Sequence, residues 1–168
     1  MTSKLIKDGA AQPDSWYLQS SGLTAESLPA LDGMDIIVPL AFWLAQKSAI
    51  QSRKGNTGVW LDSHELPAAL ADDIPAIPVI ALNFPEFKDG RSFSTARELR
   101  QRMGYQGEVR AIGDVLRDQL FFMRRCGFNA FVLRDDQDMD AALAAFNDFH
   151  DAYQPAIDQP LPLFRRRQ

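Results

Sequence analysis

Thiol chemistry has little to work with in this chain: its 168 residues hold one cysteine, Cys126. A lone cysteine makes no internal disulfide, no dithiol redox pair and no protein-held iron–sulfur cluster. Histidine is almost as scarce, with only His64 and His150, too few for a dedicated transition-metal site. Long apolar runs are missing too, since the longest, Ile36 to Ala45, falls far short of the ~20 residues that cross a bilayer. Met1 to Gly9 has no apolar stretch resembling the core of a secretion signal, so a cytoplasmic protein without a membrane segment is expected. No Walker lysine spacing, dinucleotide glycine triplet or G-x-S-x-G elbow occurs, and the residues themselves imply no cofactor and no metal.

What is present describes an ordinary globular chain with an uneven charge. At 18.8 kDa it can bury one sizeable core and is too short for two common domains. Hydrophobic residues at 46% and charged residues at 24% exclude global disorder and fibrous classes. The net charge of −4 gives no case for a nucleic-acid partner. Yet residues 84–134 carry ten basic groups against six acidic ones, while the remainder carries eight against sixteen. Basic character is concentrated in one third of the chain.

From Asp35 onward, apolar β-type runs alternate with helical patterns. The runs are Ile36-Ile37-Val38, Val59-Trp60-Leu61, Val79 to Leu82, Val109 to Ile112 and Ala130 to Leu133. About five βα units, forming a mainly parallel sheet flanked by helices, are therefore expected, because parallel neighbours need crossovers that are usually helical. Helices are expected after Pro39, from Asp62 with Glu65 as a capping box, from Ser94 to Gly104, from Val115 to Cys126 with Gly127 as stop, and from Met139 to Tyr153. A small β-hairpin is read at the amino end, from Leu5-Ile6 through Asp8-Gly9 and back along Trp16-Tyr17-Leu18, covering a sheet edge. Residues 1–153 thus read as one α/β domain, with hairpin and linker over 1–33 and βα repeats over 34–153. The proline- and arginine-containing stretch 154–168 reads as a frayed tail. Five units leave open whether the sheet is complete or a barrel fragment closed by a second copy, and exposed edges favour a homo-oligomer.

Three charged clusters follow three of these runs and would meet at the carboxyl edge of a parallel sheet, where open α/β folds bind ligands. In the first, Lys88-Asp89-Gly90-Arg91 with Ser94 and Arg97, glycine allows close approach and a helix start favours an anion. The plainer reading is an Asp-Gly turn followed by a serine cap. In the second, Asp114 caps a helix or orients Arg117 toward a ligand. The third is Arg134-Asp135-Asp136. Lys88, Asp89, Gly90, Arg91, Ser94, Arg97, Asp114 and Arg117 are the candidate ligand-binding residues, with Asp89 or Asp114 as acid or base if the site is catalytic. His64, at the start of the expected second helix, could exchange protons, although a solvated position explains it as well.

Phe84-Pro85-Glu86-Phe87-Lys88-Asp89-Gly90-Arg91-Ser92-Phe93-Ser94-Thr95-Ala96-Arg97, followed by Gly113 to Gln119 and Arg125-Cys126-Gly127-Phe128, resembles the bacterial domain-of-unknown-function family 934. The opening Ile37-Val38-Pro39-Leu40 fits as well, and Glu86 departs from the expected pattern. The resemblance implies a part in assimilatory sulfite reduction and cysteine biosynthesis, where members are described as probable oxidoreductases. It transfers no catalytic residues. With one cysteine and no nucleotide fingerprint the chain is poorly equipped to carry electrons alone. The expectation is an accessory protein that binds a small oxyanion and a sulfite reductase or another sulfur-assimilation enzyme. The alternative is an enzyme acting on a small anionic metabolite at the same edge.

Overall fold

All five apolar runs become strands, and three further strands come from the first eighteen residues. The computed structural model describes residues 5–147 and 154–166. Its strands are β1 (Leu5–Lys7), β2 (Ala10–Gln12), β3 (Trp16–Leu18), β4 (Asp35–Pro39), β5 (Thr57–Leu61), β6 (Val79–Phe84), β7 (Glu108–Gly113) and β8 (Ala130–Val132). They form one eight-stranded sheet in the order β2-β1-β8-β7-β6-β5-β4-β3. Strands β3 to β8 are parallel in chain order, and β1 joins antiparallel to β8 and to β2. The expected five-stranded sheet is therefore too small. The Asp8-Gly9 turn does build a hairpin, but Trp16-Tyr17-Leu18 leaves it and pairs with β4 on the opposite edge.

That connection curls the sheet. Laid flat, eight strands would hold their edges roughly 34 Å apart at about 4.8 Å per neighbour. Here Pro13, Asp14 and Ser15 alone join the edge strands β2 and β3, a link that reaches no more than ~14 Å. Because β1 is antiparallel to both its neighbours, β2 and β3 run in the same direction. Ala10 to Leu18 thus acts as one bent ribbon, bonded to β1 by its first part and to β4 by its last.

Strictly sequential parallel strands with right-handed crossovers place every crossover on one face. Ile36, Val38, Val59, Leu61, Ile80 and Leu82 point to that face and pack on α1 (Leu40–Ala45), α2 (Lys47–Ser52), α3 (Arg91–Gln101), α4 (Leu120–Cys126) and α5 (Met139–Ala145) through residues such as Trp43, Leu99 and Met123. The intervening residues Ile37, Val79, Ala81 and Ile112 form a separate buried cluster inside the curl, with Trp16, Trp60 and Val132 against it. Gly58 is needed there, since a Cβ would lie 2.7 Å from the Val79 carbonyl oxygen.

Charge fills the amino-end floor of the curl. Arg110 of β7, whose side chain is 3% exposed, donates from Nη1 to both oxygens of Asp14 at 3.0 Å and from Nε to Glu108 at 2.6 Å. Lys7 of β1 reaches the other oxygen of Glu108 at 2.8 Å. Asp14 sits in the link between the edges and also accepts the Trp16 N–H. The network ties three separated parts of the sheet to the same interior point.

The crossovers differ from expectation in two places. Between β5 and β6 the chain makes short 3₁₀ turns, Pro67–Leu70 and Ile74–Ala76, instead of an α-helix, because Pro67, Pro75 and Pro78 interrupt helical hydrogen bonding. Before α4, Val115 turns back with its N–H on the Gly113 carbonyl, Leu116 is extended and Arg117–Gln119 is 3₁₀. Gly127, with φ +115°, ends α4 as expected, the Phe128 N–H reaching back to the Met123 carbonyl. Asp138 caps α5 by accepting the Ala141 N–H; Phe149, His150 and Tyr153, assigned to this helix from sequence, lie outside the described residues. The described part of the tail lies against α4, where the Ile157 N–H donates to the Arg125 carbonyl and Arg125 donates to the Gln154 carbonyl. It ends in the short helix α6 (Leu163–Arg166).

Removing Arg110 leaves the buried Asp14 carboxylate without its main partner. Arg110→Met is expected to lower unfolding stability by about 3–5 kcal/mol in urea titration, and adding Asp14→Asn should recover part of that loss.

Candidate functional site

The carboxyl ends of β4 to β8 all face one rim, as parallel strands require. Around it the structure builds two polar networks and two cavities. The first network starts at the end of β5. Asp62 Oδ1 accepts the Ser63 N–H at 2.8 Å and the Asn83 side-chain amide at 3.0 Å, while Glu65 accepts the Asp62 N–H at 2.7 Å. Glu65 thus closes half of the expected capping box, on a turn rather than a helix. His64 Nδ1 stands 3.6 Å from Asp62 Oδ2.

Arg91 completes this network from the next loop. Its Nε and Nη2 grip both oxygens of Asp89, and Nη2 also donates to Ser63 Oγ at 2.9 Å. The Arg91 guanidinium, aided by Ser63, holds the Asp89 carboxyl far below the usual carboxylate range. A carboxylate held so low stays ionised through the neutral range and is a weak base there. Nη1 of Arg91 makes no hydrogen bond among the described residues, which leaves one edge of the fork open.

The second network spans the ends of β7 and β8. Arg134 donates to Asp114 from Nη1 and clasps Asp136 with Nε and Nη2 at 2.7 Å. The Asp114 N–H in turn holds the Phe84 carbonyl at 2.7 Å. Asp114 therefore has Arg134, not Arg117, as its partner, and it caps no helix. Arg134, first noted only as part of a charged cluster, is the residue that organises this end.

The remaining predicted residues spread along the edge. Lys88 and Arg117 are exposed at the ends of β6 and β7, and neither side chain has an ion-pair partner among the described residues. Gly90 is the N-cap of α3 with φ −91°, so it supplies no left-handed turn. Ser94 lies one turn into α3, exposed, because the helix begins at Arg91 instead of at the expected serine cap. Arg97 lies on the outer surface of α3, its guanidinium 6.0 Å from the centre of the Phe122 ring. Arg91, Asp89, Lys88 and Gly90 are thus brought together, and Arg117 joins the same rim one strand on. Ser94 and Arg97 belong to the helix surface.

Gly113 shows how tightly the rim is built. Its φ is +89°, and a Cβ would lie 2.5 Å from both Asn83 Oδ1 and the Phe84 carbonyl oxygen. Asn83 was not singled out from sequence, and Asp62 was read there only as a helix cap. A signal for Asn83 was present: it is the one polar residue inside the otherwise apolar β6, at its carboxyl end and on the inner face.

Two cavities flank Trp60. One of about 260 Å³ fills the mouth of the curl between Leu18, Ser20, Trp60, Asn83 and Ile112. The larger, of about 600 Å³, lies between the 3₁₀ segment Ala25–Leu31, α1 and the loop after β5. His64, Asp62, Glu65 and Glu26 line it together with Trp60 and Phe42. No group of three His, Cys, Asp or Glu residues able to hold a metal occurs among the described residues, and no described helix is long and apolar enough to cross a membrane. Cys126 is buried in the outer core, and burial pushes its thiol pKa up.

A curled, mostly parallel α/β sheet with a polar rim at its strand ends defines the structural class. Within that class the chain belongs to the family described as "Bacterial protein of unknown function (DUF934)", which it matches over residues 58–164, from inside β5 to the carboxyl-terminal segment. No curated protein matches it.

Two measurements probe the rim. Gly113→Ala, forced into a left-handed backbone and against Asn83, is expected to lose about 1–3 kcal/mol from the backbone alone, read by thermal or urea unfolding. Arg134 holds the Asp136 carboxyl at about 2, with help from Gln137. Because this value is depressed, the stabilisation is present above the unfolded value of ~4 and fades as pH falls through about 2. In Arg134→Met, carboxyl NMR should find Asp136 titrating close to the ordinary aspartate value.

Proposed function

We propose that this protein is an accessory factor of assimilatory sulfite reduction that holds a small oxyanion at its carboxyl rim and associates with a sulfur-assimilation enzyme. The observation that carries the oxyanion reading is the row of cations on adjacent strand ends: Lys88 and Arg117, both exposed and unpaired among the described residues, with the open edge of the Arg91 fork between the networks. Guanidinium groups of this kind recognise planar or tetrahedral oxyanions through paired N–H donors. The sulfur context comes from the family resemblance. An accessory role fits the residues better than a self-contained redox centre, since the one cysteine is buried with its thiol kept protonated. Loops at the carboxyl ends of parallel strands are also where such sheets present ligands and partners.

The measurement is thermal shift with sulfite and sulfate, alongside co-purification with sulfite reductase from the native cell. Oxyanion at about a hundred times its dissociation constant should stabilise the native chain by roughly 2.7 kcal/mol. The double variant Arg91→Met, Arg117→Met should abolish that gain. A chain that neither responds to oxyanions nor associates with a sulfur-assimilation enzyme has some other function.

A further inference from the structure

The smaller cavity, in the mouth of the curl, is untouched by the rim cations. Leu18, Gln19, Ser20, Trp60, Asn83 and Ile112 line about 260 Å³ there, and none of them is ionisable. Trp60, Asn83 and Ile112 stand at the carboxyl ends of three adjacent strands. Asn83 of β6 is level with Ile112 of β7, and Trp60 of β5 is level with Ala81, two residues earlier in β6. The remaining wall is the chain that leaves β3. The Gln19 N–H is tied to the Ile37 carbonyl at 2.8 Å, while the Gln19 carbonyl accepts the Trp60 indole N–H at 2.9 Å.

That bond decides what Trp60 has left to offer. An indole carries one polar hydrogen and no acceptor, so with its N–H spent the ring presents only π surface, held in place from two strands. Asn83 is in the opposite condition. One of its amide hydrogens goes to Asp62 at 3.0 Å, which fixes the orientation of the amide because a carboxylate bonds its nitrogen end. The second hydrogen and Oδ1 have no partner among the described residues. Gly113 keeps the space beside Oδ1 free of any side chain, since a Cβ there would lie 2.5 Å from it. An apolar-walled cavity thus holds one fixed aromatic ring and, on a single amide, an unused donor and an unused acceptor.

We propose that the mouth of the curl binds an uncharged heteroaromatic ring of the nucleobase class, stacked on Trp60 and read by Asn83. A carboxamide pairs with a ring edge that carries a donor beside an acceptor, and flat heterocycles stack on a fixed aromatic side chain. A charged ligand finds no counter-ion in this cavity, and an aliphatic one leaves the Asn83 amide unsatisfied. The size agrees: a cavity of about 150 Å³ takes a benzene ring, so about 260 Å³ has room for a substituted heterocycle. Apolar walls with a few convergent polar groups, at the carboxyl ends of parallel strands, are a recurrent setting for such ligands. The site is separate from the cations of the rim and stands whether or not they hold an oxyanion.

Two-dimensional ¹H–¹⁵N NMR of the full chain tests this, since its three tryptophans give three indole signals and Trp60→Phe identifies that of Trp60. The probes are adenosine, uridine, purine riboside, which is adenosine without its exocyclic amine, and benzyl alcohol, a ring without a donor–acceptor edge. Adenosine or uridine should shift the Trp60 signal saturably and bind at least about tenfold tighter than benzyl alcohol. If adenosine is the tighter nucleoside, purine riboside should be weaker than it by a similar factor. Leu18→Trp and Ser20→Trp each bring a bulky ring to the mouth from an exposed position; at least one of them should abolish binding, with the fold checked by circular dichroism. Benzyl alcohol binding as tightly as the nucleosides would mean that Asn83 reads nothing, and the inference falls. It falls equally if neither nucleoside shifts the Trp60 signal up to its solubility limit, or if binding survives both Leu18→Trp and Ser20→Trp.

Discussion

Inside the curl, the guanidinium of Arg110 meets both oxygens of Asp14, and this contact holds together parts that the chain brings in from opposite directions. Asp14 belongs to the link between the two sheet edges, while Arg110 is in the middle of the parallel run. Joining them sets the curvature of the sheet, and the curvature in turn creates an inner face. Ile37, Val79, Ala81 and Ile112 have no helix above them and are buried only because the sheet folds over them. The buried charges are matched, with Arg110 and Lys7 against Asp14 and Glu108, which meets the main condition for tolerating ions away from water.

The rim inherits its order from the same arrangement. Each strand from β4 to β8 delivers one loop to the carboxyl side, and the loops are stitched in neighbouring pairs: Asp62 to Asn83, Arg91 to Ser63, Asp114 to Phe84 and to Arg134. Most of these bonds cross from one βα unit to the next. The rim is therefore a continuous band whose open functional groups are the few that the stitching leaves over, chiefly Lys88, Arg117, one side of Arg91 and the outer nitrogen of His64.

Much of the architecture was legible from sequence because the βα alternation is regular. The five apolar runs became parallel strands in chain order, and Gly104 and Gly127 stopped α3 and α4. The three additional strands were hidden because each is only three residues long, too short for a period-of-two signal, and their pairing depends on strands far away in the chain. Helix starts were misplaced where a polar residue offered a cap that tertiary contacts overrode. Ser94 had the right chemistry, but Asp89 accepts the Arg91 N–H and Ser92 donates to the Asn83 carbonyl, so the chain turns helical one turn earlier. At the site, residue types were readable and partnerships were not. Arg117 and Asp114 share a local spacing, yet the neighbouring strand supplies a better-placed arginine. Asn83 carries no motif at all and gains its place through its register with Ile112, which sets Gly113 close against its side chain.

The pairing of β1 with β8 also has a consequence for how the chain is assembled. Leu5 faces Val132 in the sheet, so among the described residues the first strand in chain order has the last one as its neighbour. Until β8 is in place, Leu5 and Ile6, both fully buried at the end, have no permanent cover, and the parallel run from β4 to β7 must form with one edge bare. Contacts between such distant residues are slow to form because the intervening loop must close first. The ribbon from Leu5 to Leu18 is then less a foundation than a clasp, made before β4 to β8 and fastened after them.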